Sequence, residues 1–594
     1  MLSVLFVFVF LLSGSPLRAE ALPAPPASAT PPEDGQWSMP AKNYASTRYS
    51  ALDEINAGNV GKLQVAFTFS TGTKHGHEAS PIVVDGTMYV LTPYPNILYA
   101  LDLTKPGAPV KWKYDPKQEP ASQGIACCDT VNRGPTFAGG RVFFNTLDGS
   151  TVAVDAQTGQ QVWKTSLGSI KTGESMTMAP LVAKNKIFVG NSGGEFGVRG
   201  WIAALDANTG GQLWKAYSTG PDADVLIGAN FKPFYAEDQG RDLGVSTWPP
   251  QAWQQGGGTV WGWLSYDPDL NLLYHGTGNP APWNSGQRPG ANKWTAGIFA
   301  RDADSGEARW FYQVNPHDLY AWDAVSESVL LDINLRGQSR KALIRPEWNG
   351  YVSMLDRTTG EVLYALPYHP TTTTRGVDLK TGALVYNEAK KPEVGKVVHD
   401  ICPSAAGAKN WQPSAYSPRS GLLYIPHNNL CMDLEIEPAN YIAGTPYLGA
   451  EARFKAGPGG HRGAFTAWDV QAASMRWQIR EKFPVWSGAL ATAGDLVFYG
   501  TMDGLFKAVN AQGGDLLWQF KTDSGIVGQP TTYRGPDGHQ YVAVLSGVGG
   551  WAGRVVSGDL DPRDATAAFG FANAMADLKD VTGPGGTLYV FRLP

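Results

Sequence analysis

The chain has 594 residues, a formal charge of −5 and a pI near 6.0. This weakly acidic balance argues against a nucleic-acid-binding protein, because such proteins usually carry a basic surface. Aromatic residues make up 11% of the chain, which excludes a disordered protein, and its 70 glycines are typical of frequent turns. Glycine-rich turns between aromatic segments favour many short strands and an all-β fold.

The N-terminal segment is typical of a secretory signal peptide. Residues 2–12 form a largely apolar run, and a small-residue cleavage site follows at 19–21. The run is shorter than the ~20 residues that span a bilayer. We therefore expect residues 1–21 to be removed on export to the periplasm and residues 22–35 to be a Pro/Ala-rich linker. An uncleaved anchor is the alternative, because no Lys or Arg precedes the apolar run.

The four cysteines are an even number, which suits an oxidising compartment. Two of them, Cys127 and Cys128, are adjacent. In a secreted chain this pair favours a vicinal disulfide over two free thiols, and the strained peptide bond that it needs is usually kept at functional sites. The sequence contains no C-x-x-C-H motif, so covalently attached haem is excluded.

A phrase of the form Ala-x-Asp-x-x-(Thr/Ser)-Gly-x-x-x-Trp recurs along the chain. Clear copies occupy 153–163, 204–214 and 300–310, and looser or stretched copies occupy 100–112, 354–364, 467–477 and 508–518. Each copy follows β-rich segments, so that one unit is about four strands, with the tryptophan placed to pack on a neighbouring unit. A period of about 50 residues is typical of propeller blades.

Eight such β-rich units can be counted. They start near residues 79, 134, 179, 259, 329, 412, 488 and 528. A strand at 64–70 can pair with the segment 587–593 and so complete the last unit, which closes the ring. The sequence therefore predicts an all-β, eight-bladed β-propeller with tryptophan-docking repeats, in one domain over 36–594. An open solenoid is the alternative.

Several long strings resemble the quinoprotein alcohol dehydrogenases, in particular the large subunits of methanol and ethanol dehydrogenases. They are IACCDTVNRG (125–134), GGEFGVRGW (193–201), GTGNPAPWN (276–284), ICPSA (401–405), LATAGDLVFYGTMDG (490–504) and SGVGGWAG (546–553). The resemblance covers essentially the whole mature chain. It implies an eight-bladed propeller that holds pyrroloquinoline quinone (PQQ) and a metal ion on its axis, and a structural disulfide between Cys402 and Cys431.

The resemblance also assigns cofactor contacts. Trp261 would lie under the cofactor plane, and the Cys127–Cys128 ring would lie on the other face. The full predicted cofactor-binding set is Glu78, Cys127, Cys128, Arg133, Thr177, Ser192, Gly193, Gly194, Thr259, Trp261, Asn410, Trp486 and Trp551. Taken singly, a tryptophan is better explained by blade packing and a Ser or Thr by a turn hydroxyl, so only the set points to the cofactor.

The predicted metal ligands are Glu195, Asn279 and Asp323. Glu195 and Asn279 match the protein ligands of the family, and their oxygens suit a hard cation such as Ca²⁺. Asp323 stands at a position that carries an additional ligand in lanthanide-using relatives. The resemblance therefore leaves both Ca²⁺ and a lanthanide ion open.

The predicted catalytic base departs from the family. The usual segment reads His-Asp-x-Trp-Asp-Tyr-(Ala/Ser/Asp)-Gly, and the Asp after Trp is the base. Here residues 316–327 read PHDLYAWDAVSE, which puts Ala321 at the base position and Asp323 two residues further on. We expect the backbone at 319–323 to leave an extended path and to bring Asp323 to the metal as combined ligand and catalytic base. Asp318 and Glu327 are the alternatives.

A second departure is Trp348, which stands where relatives have an Arg or Lys that donates a hydrogen bond to the quinone oxygen. The resemblance implies periplasmic oxidation of an alcohol to an aldehyde, by metal-assisted hydride transfer to the quinone. Electrons would pass to a separate cytochrome c, and neither nucleic acid nor membrane insertion is expected. The alternative is a non-enzymatic or catalytically impaired PQQ-like propeller that acts in binding or assembly. The alcohol, a small second subunit and a homodimer stay open.

Overall fold

The structure, a computed structural model, describes residues 30–74, 76–126, 128–558 and 570–594. The predicted signal peptide and most of the predicted linker lie outside these ranges. Within the described ranges, no helix combines the length and the apolar character that a membrane crossing requires.

Eight antiparallel sheets form the blades of a propeller. The strands of blades 1 to 4 are Ile82–Val84, Thr87–Leu91, Leu98–Asp102 and Val110–Tyr114; Thr136–Ala138, Arg141–Thr146, Ser150–Asp155 and Gln161–Ser166; Leu181–Ala183, Lys186–Gly190, Trp201–Asp206 and Gln212–Tyr217; and Leu264–Asp267, Leu272–Gly276, Gly297–Asp302 and Ala308–Gln313. Those of blades 5 to 8 are Val329–Leu335, Gln338–Pro346, Tyr351–Asp356 and Val362–Pro367; Ala415–Ser417, Leu422–Asn428, Gly463–Asp469 and Ser474–Glu481; Leu490–Thr492, Leu496–Gly500, Leu505–Asn510 and Leu516–Lys521; and Thr531–Arg534, Gln540–Ser546, Thr587–Arg592 and Gln64–Ser70. Each unit start predicted from the sequence lies at or just before the first strand of one blade, so the eight-bladed propeller is confirmed.

The two ends of the chain meet in blade 8. Gln64–Ser70 pairs antiparallel with Thr587–Arg592 and forms the outermost strand of that blade. This is the closure that the sequence predicted, and it excludes the open solenoid. A closed ring is stable because every blade packs between two others and only short outer edges are left unpaired.

The recurring tryptophans lock neighbouring blades together. Trp163 of blade 2 donates its indole N–H to the carbonyl of Ala207 in blade 3, at 3.1 Å. Its ring lies against Gly210, where φ is +73° and a Cβ would stand 2.7 Å from the ring. Gly is therefore required in the turn of the phrase, both for the left-handed backbone and for the close approach. The same indole-to-turn bond recurs at Trp112, Trp214, Trp310 and Trp477.

The short strand Tyr49–Ser50 pairs with Ala491 and Thr492, where the first strand of blade 7 ends. Other small elements cover the opposite end of the ring. They are a hairpin of Thr374–Val377 and Leu384–Tyr386, a sheet of Val398–Ile401, Leu430–Ile436 and Ala450–Ala456, and the helices Asp222–Val225, Leu243–Ser246, Gly550–Ser557 and Phe571–Met575. The disulfide between Cys402 and Cys431 is present and ties the three-stranded sheet together. A large apolar cluster fills the space between these elements and the blade ends, and it forms much of the wall of the cavity described below.

Candidate active site

One cavity gathers the predicted site residues that the structure describes. Its lining includes Glu78, Cys128, Arg133, Thr177, Ser192, Gly193, Gly194, Glu195, Thr259, Trp261, Asn279, Asp323, Asn410, Trp486 and Trp551. It encloses about 1080 Å³ of empty space, the open solvent at its mouth included. Cys127 falls outside the described residues; Cys128 is disulfide-bonded, and the vicinal pairing stays a prediction.

Blade topology explains why residues so distant in sequence meet here. Arg133, Trp261 and Trp486 each precede the first strand of a blade, whereas Glu195 and Asn279 follow the second strand of one. Because successive strands are antiparallel, the start of the first strand and the end of the second lie at the same end of a blade. The loops of several blades therefore converge at one end of the ring.

Arg133 is the centre of the polar wall. It forms an ion pair with Glu78 at 3.0 Å, and its Nη1 donates to the Thr177 hydroxyl at 2.7 Å. The Thr177 and Ser192 hydroxyls are hydrogen-bonded at 3.0 Å. The guanidinium also lies 4.9 Å from the ring centroid of Trp261. Burial raises the pKa of Glu78 to about 7 although Arg133 lowers it, and burial lowers the pKa of Arg133.

The glycines of the predicted set let the backbone close around the cavity. Gly193 has φ +112°, and a Cβ there would lie 2.3 Å from the carbonyl oxygen of Gly173. A Cβ on Gly194 would lie 3.2 Å from the Thr259 hydroxyl. Only glycine fits the first position, because a side chain there would meet backbone that cannot move aside.

The predicted metal ligands stand together in this cavity. The backbone N–H of Asn279 donates to Asp323 Oδ1 at 2.6 Å. Burial raises the pKa of Asp323 to about 8, with smaller increases from the charges of Glu195 and Asp318. Burial likewise raises the pKa of Glu195 to about 7, although part of its side chain faces the cavity. No cluster of three or more His, Cys, Asp or Glu is found in the described residues, and this set has two carboxylates and one amide.

The chain takes an irregular path through 319–323. Ala321 has φ +61°, a left-handed conformation that interrupts any extended run, and no strand lies between residues 313 and 329. The carboxylate of Asp318 stabilises this turn by accepting the N–H of Trp322 at 3.1 Å. The path is that expected from the sequence, and it turns Asp323 into the cavity.

Two alternative bases do not reach the cavity wall. Asp318 is fully buried and does not line the cavity, and burial raises its pKa to about 6. Glu327 is also buried, and it forms an ion pair with Lys409 at 2.7 Å. Of the three carboxylates that the sequence offers as the catalytic base, only Asp323 lines the cavity. Its catalytic role stays a prediction.

Trp348, the second departure from the family pattern, also lines the cavity. Trp348 lies edge-to-face with Trp261, at 6.2 Å and 84°, and its indole nitrogen is buried without a hydrogen-bond partner in the described chain. Trp283 and Trp411 line the cavity as well and were not identified from the sequence, although Trp283 lies in the string 276–284 and Trp411 follows Asn410. Leu448 lines it as well, and nothing in its local sequence signals this position.

The family described as "PQQ: Glucose/ethanol/alcohol dehydrogenase, beta-propeller domain" matches residues 37–381 and 458–542. The chain is 47% identical over 567 residues to the lanthanide-dependent methanol dehydrogenase of Methylacidiphilum fumariolicum, covering 94% of this chain and 93% of that protein. It is 45% identical to methanol dehydrogenase [cytochrome c] subunit 1 of Methylobacterium organophilum, covering 94% and 91%. A solved europium-containing methanol dehydrogenase superposes with a TM-score of 0.93 at 47% identity, covering 94% of this chain and 98% of that one.

These relatives are enzymes that match almost from end to end, and they support the enzymatic interpretation over a propeller that serves only in assembly. The chain belongs to the PQQ-dependent alcohol dehydrogenases.

Proposed function

We propose that this enzyme oxidises a small primary alcohol to its aldehyde in the cavity described above, with PQQ as the electron acceptor and a lanthanide ion beside it. Asp323 is proposed as the catalytic base and as a metal ligand. The observation that carries the proposal is the placement of Asp323 and Glu195 in one cavity with Arg133 and Trp261.

The polar wall fits a flat cofactor that bears carboxylates. Arg133 Nε and Trp551 Nε1 are buried donors without a hydrogen-bond partner among the described residues. The Thr177 and Ser192 hydroxyls and the narrow Gly193–Gly194 backbone stand beside Arg133. Buried donors of this kind are costly unless a ligand accepts from them. These residues would hold the carboxylates of PQQ, with Trp261 against its plane.

The acidic end fits a hard cation. Two carboxylates, Glu195 and Asp323, are held in the same cavity, and no Lys or Arg in the described chain lowers the pKa of either. Like charges in a buried site repel, and a cation between them removes the repulsion. Glu195, Asn279 and Asp323 would supply oxygen ligands. Ca²⁺ would balance these two carboxylates, and we propose a lanthanide because Asp323 matches the additional ligand of lanthanide-using relatives and a relative that is 47% identical is named lanthanide-dependent.

The chain's own residues would handle the proton and the orientation of the alcohol. The Asn279 N–H fixes Asp323 Oδ1 at 2.6 Å, so the carboxylate is oriented before substrate binds. In its ionised form Asp323 accepts the hydroxyl proton. The apolar walls around Trp261, Trp283 and Trp348 exclude water from the reacting carbon. When bound, PQQ would supply the hydride acceptor and the metal ion would supply Lewis acidity.

The name of one relative supports a proposal for the electron-accepting partner, and the N-terminal sequence supports one for the compartment. The Methylobacterium protein is named for cytochrome c, and we propose a separate c-type cytochrome as the electron acceptor of this chain as well. We also propose a periplasmic location, which the apolar N-terminal segment supports.

A reconstitution experiment tests the proposal. Metal-free protein is loaded with PQQ and either La³⁺ or Ca²⁺, and alcohol oxidation is followed with an artificial electron acceptor. We expect activity with La³⁺ to exceed that with Ca²⁺. Asp323→Asn should lower kcat at least a hundredfold while the absorption of bound PQQ persists. Asp318→Asn is the matched control, because Asp318 is buried nearby but does not line the cavity. A larger loss in Asp318→Asn than in Asp323→Asn would contradict the assignment of the base.

A further inference from the structure

The segment 437–449 crosses the acidic end of the cavity as an irregular strap between two strands of the three-stranded sheet. Most of its residues are exposed: Ile442 is 64% exposed and Tyr441 is 39% exposed. Leu448 is the exception, with only 5% of its surface exposed, and it lines the cavity. The strap therefore places one apolar side chain inside the site and leaves the rest of its length in solvent.

The strap is fastened to the loop that carries Glu195. The backbone N–H of Tyr447 donates to the backbone carbonyl of Glu195 at 2.7 Å. The rings of Tyr441 and Tyr447 pack edge-to-face at 5.6 Å, directly over Gly197. A Cβ on Gly197 would lie 3.0 Å from Tyr447 and 3.1 Å from Tyr441, and φ there is +71°. The glycine allows both rings to reach the backbone of this loop.

A second attachment joins the strap to the loop that follows Asn279. The side chain of Asn284 donates to the carbonyl of Glu437 at 2.6 Å, and its backbone N–H donates to the carbonyl of Leu448 at 3.3 Å. The Gln287 side chain both accepts from and donates to the backbone of Ala439. Leu448 is thus held between the two loops that carry the proposed ligands Glu195 and Asn279.

We infer that Leu448 is a specificity-determining residue, and that it limits the alcohols accepted here to short ones. The inference rests on the proposed function. The hydroxyl must lie near Asp323, at the end of the cavity where Glu195 and Asn279 stand, so the carbon chain of the alcohol extends toward the walls at that end. Leu448 and Trp283 form apolar wall there. The strap's two attachments fix Leu448 in place, so it cannot yield to a longer chain.

The strap also ties this wall to the metal loop. A metal ion that fixes Glu195 also fixes its backbone carbonyl, which accepts the N–H of Tyr447. Tyr447 is next to Leu448, so the ion would order this part of the strap. We expect the strap to be better protected when metal is bound, because local opening becomes rarer when the groups that anchor a segment are fixed.

The test uses the full holoenzyme and a series of linear alcohols from methanol to 1-butanol. In Leu448→Ala, kcat/KM for 1-butanol relative to methanol should rise at least tenfold, mostly through KM, since one methylene in an apolar pocket changes this ratio by about 10- to 200-fold. Leu448→Phe should lower the same ratio. Ile442→Ala is the matched control on the same strap, because the Ile442 side chain is exposed to solvent. This variant should have the alcohol preference of the wild type.

A second readout does not depend on turnover. Hydrogen exchange of a peptide that contains Tyr447 and Leu448 is compared in the holoenzyme and after chelation of the metal. We expect slower exchange in the holoenzyme by at least threefold. An active wild type whose Leu448 variants keep its alcohol preference would overturn the inference about specificity, and equal exchange in both forms would overturn the link to the metal loop. A wild type inactive on every alcohol would instead overturn the proposed function, and the specificity inference with it.

Discussion

Lys409 and Glu327 form a buried ion pair, and Lys409 is next to Asn410 of the cavity lining. Removal of this pair tests how much it contributes to the free energy of unfolding. The two side chains are 0% and 1% exposed and lie 2.7 Å apart. Lys409→Met leaves Glu327 buried without its main counter-ion, a change that typically destabilises by about 3–5 kcal/mol. We expect about 3 kcal/mol, the lower end, because the Ser414 N–H still donates to Glu327 at 2.8 Å and Arg345 is close by.

The size of the chain converts this free energy into a thermal shift. An unfolding entropy of about 2.1 cal/mol/K for each of the 594 residues gives about 1.2 kcal/mol/K, so the unfolding midpoint should fall by about 2.5 °C. Differential scanning calorimetry measures it. The double variant Lys409→Met/Glu327→Leu should recover most of the loss, because no charge is left unpaired. A double variant that is as unstable as the sum of its single variants would refute the argument.

Three further outcomes are expected. Glu195→Ala should lower metal content and metal-dependent activity at least tenfold while circular dichroism stays unchanged, because the blades do not depend on this carboxylate; full metal content would show that the ligand assignment is wrong. Titration of the denatured, unreduced protein with a thiol reagent should find no free thiol, because Cys127 and Cys128 are expected to be paired as Cys402 and Cys431 are; two free thiols would exclude the vicinal disulfide. Gly210→Ala should lower the free energy of unfolding by about 2 kcal/mol, because the backbone there is left-handed and a Cβ would stand 2.7 Å from the Trp163 ring. Gly211→Ala is the control, because its Cβ would come no closer than 3.3 Å to the Thr209 side chain.

The two departures from the family pattern fit together. In the family pattern given above, Ala321 stands where a negative charge is usual and Trp348 stands where a positive charge is usual. Both residues belong to the same buried apolar cluster.

The sequence by itself determined the architecture. The repeated phrase that ends in Trp specifies a local structure. Its Asp and Gly form the turn, and its Trp packs on the turn Gly of the next blade, as Trp163 packs on Gly210. Repetition of that phrase predicts a propeller, the eight β-rich units predict the number of blades, and the strand at 64–70 predicts the closure. Most of the fixed strings are loops at the same end of the blades, and their side chains line one cavity. The string 490–504 instead forms the first two strands of blade 7.

Only the tertiary structure decided how the acidic end of the cavity is enclosed. The bond from the Tyr447 N–H to the Glu195 carbonyl joins two backbone groups, and a backbone group leaves no mark in the sequence. Leu448 is one apolar residue in an exposed strap, with no periodicity to identify it as part of a wall. The pairing of Lys409 with Glu327 likewise depends on blades packing side by side. Local propensity and pattern record neighbours along the chain, and these contacts exist only after the ring has closed.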